Sequence, residues 1–299
     1  MISVAVLWIP FTLLAAAGQT ARNAMQRELT ATLGTVGATH VRFLFGFPFA
    51  ILFLAVVVGV TGLPLPAPSA VFWPWVLLGA GAQIVATALM LATMSDRSFV
   101  VTIAYIKTEA IQAAVFGLIF LGDRVTAGML VAILVATLGV VIMSLKGKGA
   151  LEGGYRPVAL GLFSGAMFAV SAVGYRGAIL SLDLQSFVLA ATYTLTVGLI
   201  LQAGLLTLYL ALRDRPVLTA IVSAWRPSLF AGFMGATASE FWFLAFALAS
   251  VAHVRTLALV EVLFAQAISY FVFRQATTRR EAFGMSLIVI GVLLLIWVQ

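Results

Sequence analysis

Four ionisable side chains stand inside long apolar stretches of this sequence: Lys107, Glu109, Glu240 and Glu261. A charge at such a position costs about 2.5–3.5 kcal/mol on insertion scales, so it faces protein or a water-filled cavity rather than hydrocarbon. There it can hold a polar solute, carry a proton, or tie neighbouring helices together through hydrogen bonds. Lys107 and Glu109 are two residues apart, a spacing that sends them to different helical faces, so no direct pairing is expected between them. Tyr105, Glu109, Gln112 and Phe116 share one face instead, a stripe of one carboxylate, one amide and two rings. A second stripe, Ser164, Phe168, Ser171 and Tyr175, mixes hydroxyls and rings, and a third joins Trp8, Thr12, Ala15, Gln19 and Arg22. Rings for stacking with a few orienting polar groups suit a cavity for an amphipathic ring compound. The same residues equally suit an interhelical network that only fixes the bundle. Trp8 and Trp297 also fit interfacial anchors, and Arg22 fits a snorkelling side chain near a helix end. His253 and Arg255 read as a solvated loop edge. Gly161 and Gly165 read as a close helix contact.

Other chemistries find little support. The sequence has no cysteine and only two histidines, His40 and His253. Thiolate ligands, disulfides and a closed zinc site are therefore not expected, and neither a metal nor a cofactor is assigned. No nucleophile elbow and no HExxH motif occurs, so an enzyme is not expected. Lys and Arg outnumber Asp and Glu by 17 to 10, but no basic cluster interleaves with aromatics in a polar segment, so nucleic acid is not an expected partner.

The elements that must position these residues follow from composition. Of the 299 residues 63% are hydrophobic and 9% charged, with a mean hydropathy of +1.15. A soluble domain carries about 25% charged residues, so much of this surface must face a lipid bilayer. Ten apolar runs approach the roughly 20 residues a spanning helix needs, at 3–23, 36–60, 71–94, 99–121, 126–145, 157–180, 186–212, 226–250, 253–274 and 281–298. Turn chemistry separates them: Gly62 with Pro64, Pro66 and Pro68; Gly122-Asp123; Gly147 to Gly154; Arg213-Asp214-Arg215-Pro216. The runs lack the ten-residue alternation of barrel strands. Ala15-Ala16-Ala17 resembles a signal-cleavage site, but no basic region precedes it, so 3–23 is counted as a span. The fold class expected is an all-α integral membrane protein of ten transmembrane helices.

An internal echo divides the chain. Glu261 repeats Glu109 at an offset of 152 residues, and Thr278 and Gly291 repeat Thr126 and Gly139 at the same offset. Arg176-Gly177-Ala178 echoes Arg22-Asn23-Ala24. Five spans per half would set the second half upside down against the first, an inverted repeat with halves at 1–146 and 153–299.

These features resemble the drug/metabolite transporter superfamily of EamA-domain type. The resemblance rests on Arg22 and Arg176, on Glu109 and Glu261, and on the turn Gly122-Asp123-Arg124 followed by Thr126 and Gly139. It covers essentially the whole chain, with Ala110 and Val262 where the family often has proline. It implies a monomeric carrier with a central cavity between halves, exporting small metabolites or drugs across a bacterial inner membrane. Within the superfamily the chain is most similar to aromatic amino acid exporters. On that reading the candidate substrate-binding residues are Trp8, Gln19, Tyr105, Glu109, Gln112, Ser164, Phe168, Ser171, Tyr175, Glu240 and Glu261. A channel, a lipid flippase and an intramembrane enzyme are the alternatives. Basic residues concentrate around the odd-numbered loops (Arg22, Arg27, Arg42, Arg97, Lys146, Lys148, Arg156 and others), against Arg124, Arg176 and Arg255 around the even ones. That asymmetry predicts both termini outside the cytoplasm.

Overall fold

The computed structural model describes residues 4–96, 99–144, 155–271 and 278–298, and among them every regular element is helical. The junction expected at 146–153, and Arg97, Lys146, Lys148 and Arg274 of the loop-charge pattern, lie outside the described residues. The α-helices run in order: α1 Trp8–Leu44, α2 Phe47–Thr61, α3 Phe72–Asp96, α4 Phe99–Ile106, α5 Glu109–Phe116, α6 Ala127–Ser144, α7 Arg156–Ser181, α8 Phe187–Arg213, α9 Arg215–Ser223, α10 Trp225–Leu248, α11 Val251–Leu257, α12 Glu261–Phe271 and α13 Arg279–Trp297. A five-residue π-helical turn, Gly117–Leu121, extends α5.

Among the described residues, six helical stretches are long and apolar enough to cross a membrane: Met25–Thr61, Phe72–Met94, Arg156–Ser181, Phe187–Arg213, Trp225–Leu248 and Arg279–Trp297. Large apolar side chains such as Val60, Ile119, Leu212 and Leu293 point outward. The buried positions instead favour small residues (Ala16, Ala38, Ala80, Ala86, Ala136 and Ala245 are fully enclosed), the pattern of helices that associate by close packing rather than by hydrophobic exclusion.

Local chemistry sets the boundaries. Gly62 closes α2 in the left-handed region at φ 67°, and the prolines at 64, 66 and 68 prevent continuation. Ser186 opens α8 by accepting from the Leu189 amide at 3.3 Å. Thr278 and Glu281 form a reciprocal capping box at the start of α13. The first helix does not end near residue 23. Met25, Gln26, Arg27, Glu28 and Leu29 are good helix formers, so the chain stays helical until Gly34. Gly34, at φ 66° and ψ 176°, occupies a region open essentially to glycine alone, and nothing lies within 4 Å of where its Cβ would stand. Gly34→Ala is therefore expected to destabilise by about 1–3 kcal/mol through backbone strain alone. Gly59→Ala, also in open space but helical, should be neutral or slightly stabilising, and thermal unfolding in detergent distinguishes the two.

The segment after Arg213 also differs from expectation. Arg215-Pro216 does not remain a turn; Pro216 sits in the first turn of α9, where its missing N–H costs nothing. Ile221 of this short helix is buried while Arg215, Val222 and Ser223 face outward. The most extensive helix contacts pair α3 with α7, α1 with α10, and α6 with α13.

Candidate functional site

The centre of the molecule is built where two helices break. α4 ends at Ile106, and the chain turns through Lys107-Thr108 before α5 begins at Glu109, with Ala110 N–H donating to the Lys107 carbonyl at 3.4 Å. Further along, the 3₁₀ turn Ala258–Val260 separates α11 from α12, which begins at Glu261. Each carboxylate thus stands in the first turn of its helix, the end where negative charge is favoured.

The break overturns the expectation that Lys107 and Glu109 point apart. Lys107 Nζ lies 2.5 Å from Glu261 Oε2 and 3.7 Å from Glu109 Oε1. An unbroken helix would have separated them; the turn at Lys107-Thr108 does not. Arg255 Nη1 lies 3.6 Å from the same Glu109 oxygen. Each glutamate is therefore met by a cation from the distant part of the chain, Glu261 by Lys107 and Glu109 by Arg255. All four side chains are at most 5% exposed. Arg255 is not a solvated loop residue: its guanidinium covers the Trp242 ring at 4.7 Å and the Phe246 ring at 5.3 Å. Gln19 joins the cluster to the aromatic wall, donating to Glu261 Oε2 at 3.1 Å and accepting from Trp242 Nε1 at 3.1 Å.

Two small adjoining cavities share this centre. Gln19, Arg22, Asn23, Lys107, Glu109, Phe168, Arg255 and Glu261 line one; Gln19, Arg42, Gln83, Phe168, Ser171, Tyr175, Ser239, Trp242 and Arg255 line the other. Each holds about 10 Å³, room for one water molecule at most, so the centre has no space for an organic solute in this conformation. A larger groove of about 490 Å³ runs between Leu44 and Phe47 on one side and Ile200, Thr207 and Leu208 on the other. It is almost wholly apolar and has little to orient a polar solute.

Gln19, Glu109, Phe168, Ser171, Tyr175 and Glu261 are the expected residues that the structure brings together. The others lie elsewhere. Trp8 is 2% exposed and packs edge-on against His253 at 5.9 Å, so it is no interfacial anchor. Ser164 donates to the Ala86 carbonyl at 2.8 Å and serves helix contact. Tyr105 packs on α7, where a Cβ at Gly161 would come within 2.6 Å of it, and Gln112 lies against Gly165 nearby. Gly161 and Gly165 do mark a close helix contact. Glu240 accepts from the Thr192 hydroxyl at 2.5 Å, outside both cavities.

Residues the sequence reading missed are mostly cations. Arg22 does not snorkel; it is fully buried because α1 continues past it. Arg42 and Gln83, each set within an apolar run, carried the same signal as Glu109. Arg22 and Arg176 are not equivalent either. Arg176 sits near the end of α7, donates to the Phe246 and Ala249 carbonyls that end α10, and pairs with Asp123 at 3.7 Å. Arg22, Arg42, Arg176 and Arg255 of the loop-charge pattern are thus drawn into the protein interior rather than into loops.

No protein-family model and no curated protein matches this sequence. Among solved structures 28 chains match. One, described only as the crystal structure of a protein, aligns over 99% of this chain and 99% of its own, with a TM-score of 0.69 and 14% identity. This likeness shows a shared fold and carries no activity with it.

Proposed function

We propose that this protein is a membrane carrier that moves small organic solutes by alternating access. The observation that carries the reading is the closed polar centre, walled by the crossed pairs Lys107–Glu261 and Glu109–Arg255 at two helix breaks. Discontinuous helices meeting at a central site are a feature of secondary transporters, where irregular backbone is tolerated because it lines a cavity.

The same reading takes the chain as an inverted repeat of two five-helix halves, 1–146 and 153–299. The helix starts recur with near-constant spacing: Val251 follows Phe99, Glu261 follows Glu109 and Arg279 follows Ala127 by 152 residues each, and Trp225 follows Phe72 by 153. The dominant contacts also exchange under that relation. The α3–α7 pair becomes α10–α1, and α6–α13 maps onto itself. On this reading the part of α1 that begins at Trp8 and precedes the Gly34 kink, α4 with α5, α6, and α11 with α12 join the six longer stretches to make ten spans, in the bacterial inner membrane with both termini outside the cytoplasm. The carrier works as a monomer in the export direction, and Phe168, Tyr175 and Trp242 suit an aromatic or amphipathic metabolite such as an aromatic amino acid.

Reconstitution of the purified protein into liposomes tests the mechanism. A carrier gives saturable uptake of amino acids or amphipathic drugs, with counterflow when unlabelled solute is loaded inside. Flux that rises without limit points to a channel, a labelled lipid crossing leaflets to a flippase, and a chemically altered solute to an enzyme.

A further inference from the structure

The central cavities carry more positive charge than their carboxylates can match. Among the residues lining them, Arg22, Arg42, Lys107 and Arg255 face only Glu109 and Glu261. Lys107 and Arg255 take both carboxylates, and among the described residues no carboxylate stands within ion-pair distance of Arg22 or Arg42. The two are 0% and 2% exposed. Although on opposite sides of the Gly34 kink in α1, they converge on one point of α10, where a Cβ at Gly235 would meet Arg22 Cδ and Arg42 Cγ at 3.3 Å each.

Their partners are all uncharged. Arg22 Nε and Nη2 both donate to Asn23 Oδ1, at 3.2 and 2.7 Å, and its Nη1 has no partner. Arg42 donates to the Thr87 hydroxyl at 3.2 Å and to the Ser239 hydroxyl at 3.3 Å, leaving its Nε without one. The buried Ser171 hydroxyl on the same cavity is also unpartnered. Glu261 attracts Arg22 from beyond ion-pair distance, but Arg42 feels the repulsion of Arg22 and Arg255 and no carboxylate, and a buried charge without a direct partner is costly. A planar guanidinium is suited to an acidic head, with two parallel N–H donors for one carboxylate.

Resting on the carrier reading, we infer that the transported solute is an organic anion: its acidic head is received by Arg42 and Arg22, and its apolar body lies along Phe168, Tyr175 and Trp242. The class excludes organic cations and narrows the proposed substrates, ranking aromatic amino acids below aromatic acids, because an ammonium group would enter a site whose four cations face two carboxylates.

Three probes with the same ring and chain test the assignment on the full-length protein: 3-phenylpropionate, phenylalanine and 2-phenylethylamine. Binding is read in detergent by thermal shift and transport in liposomes by counterflow. We expect 3-phenylpropionate to bind at least tenfold more tightly than 2-phenylethylamine and more tightly than phenylalanine. R42Q should lose at least tenfold in affinity for 3-phenylpropionate, with R42K intermediate. Equal or tighter binding of phenylalanine or the amine overturns the anion assignment and leaves the carrier reading standing. Failure of all three to bind also overturns it. Binding of 3-phenylpropionate without counterflow upholds the anion site and removes the carrier reading. Should R42Q not fold, the wild-type ranking of the three probes decides the matter alone.

Discussion

Glu261→Leu is expected to lower stability by about 3–5 kcal/mol, the cost of removing one partner from a buried ion pair. Lys107 would keep only Glu109, which is 3.7 Å away and already answers Arg255 at 3.6 Å. Gln19 would also lose its acceptor on Glu261, and with it the link that orients Gln19 toward Trp242. The double variant Lys107→Met, Glu261→Leu removes both charges, and well-packed apolar replacements of buried pairs are often neutral or stabilising. It should therefore recover most of the lost stability while transport stays abolished, since the cross-link between distant parts of the chain is gone. Thermal unfolding of the two single variants and the double variant forms a cycle, and counterflow on the same preparations gives the functional arm. If Glu261→Leu unfolds at the wild-type temperature, the pair does not hold the structure. If the double variant transports normally, the pair has no part in the mechanism.

How far the sequence showed this site depends on which physical signal each residue sends. Glu109 and Glu261 were legible because a carboxylate in an apolar run has no innocent place to go. Their cations were not, for two different reasons. Arg255 lies near the start of an apolar run, a position that by itself predicts solvation; only the tertiary fold lays it over Trp242 and Phe246. Hydropathy falls after residue 23, which by itself places Arg22 at a helix end. Hydropathy, however, measures lipid contact and not helicity, and the polar segment Gln26-Arg27-Glu28 continues the helix to Gly34. The Lys107–Glu109 pairing was lost for a third reason. The rule that residues two apart diverge assumes an unbroken helix, and the turn at Lys107-Thr108 carries no proline or glycine to announce itself. The long helices fared better. Gly62 with its following prolines ends α2, and Phe72–Asp96, Arg156–Ser181 and Phe187–Arg213 lie within a few residues of their apolar runs. The short helix α9 was hidden because Arg213-Asp214-Arg215-Pro216 signals both a stop and a start.

The proposed repeat makes a quantitative demand on two glycines. A Cβ at Gly139 of α6 would stand 2.6 Å from the Gly284 carbonyl oxygen and 2.8 Å from the Ile288 nitrogen of α13. A Cβ at Gly291 of α13 would stand 2.6 Å from the Ala136 nitrogen and 2.8 Å from the Ala132 carbonyl oxygen of α6. Adding 152 to 139, 132 and 136 gives 291, 284 and 288, so each contact is the image of the other. The atoms met are backbone, which cannot rotate aside as a side chain would. Gly139→Leu and Gly291→Leu should each force the helix pair apart at a cost of about 3 kcal/mol, the upper part of the range for overpacking. The demand of the repeat is that the two costs agree within about 0.5 kcal/mol, the tolerance to which effects at independent sites add. Gly81→Ala and Gly204→Ala, whose added Cβ meets nothing within 4 Å, serve as controls and should gain up to about 1 kcal/mol from helix propensity. Unfolding of the four variants in one detergent gives all the values. If one of the two leucine variants is tolerated while its image is not, the α6–α13 contact lacks the two-fold relation, whatever the echo between Glu109 and Glu261. If both fail alike, the axis relating the halves passes between α6 and α13. Those helices then form a fixed support, and the motion that opens the centre falls to the helices carrying Lys107, Glu109, Arg255 and Glu261.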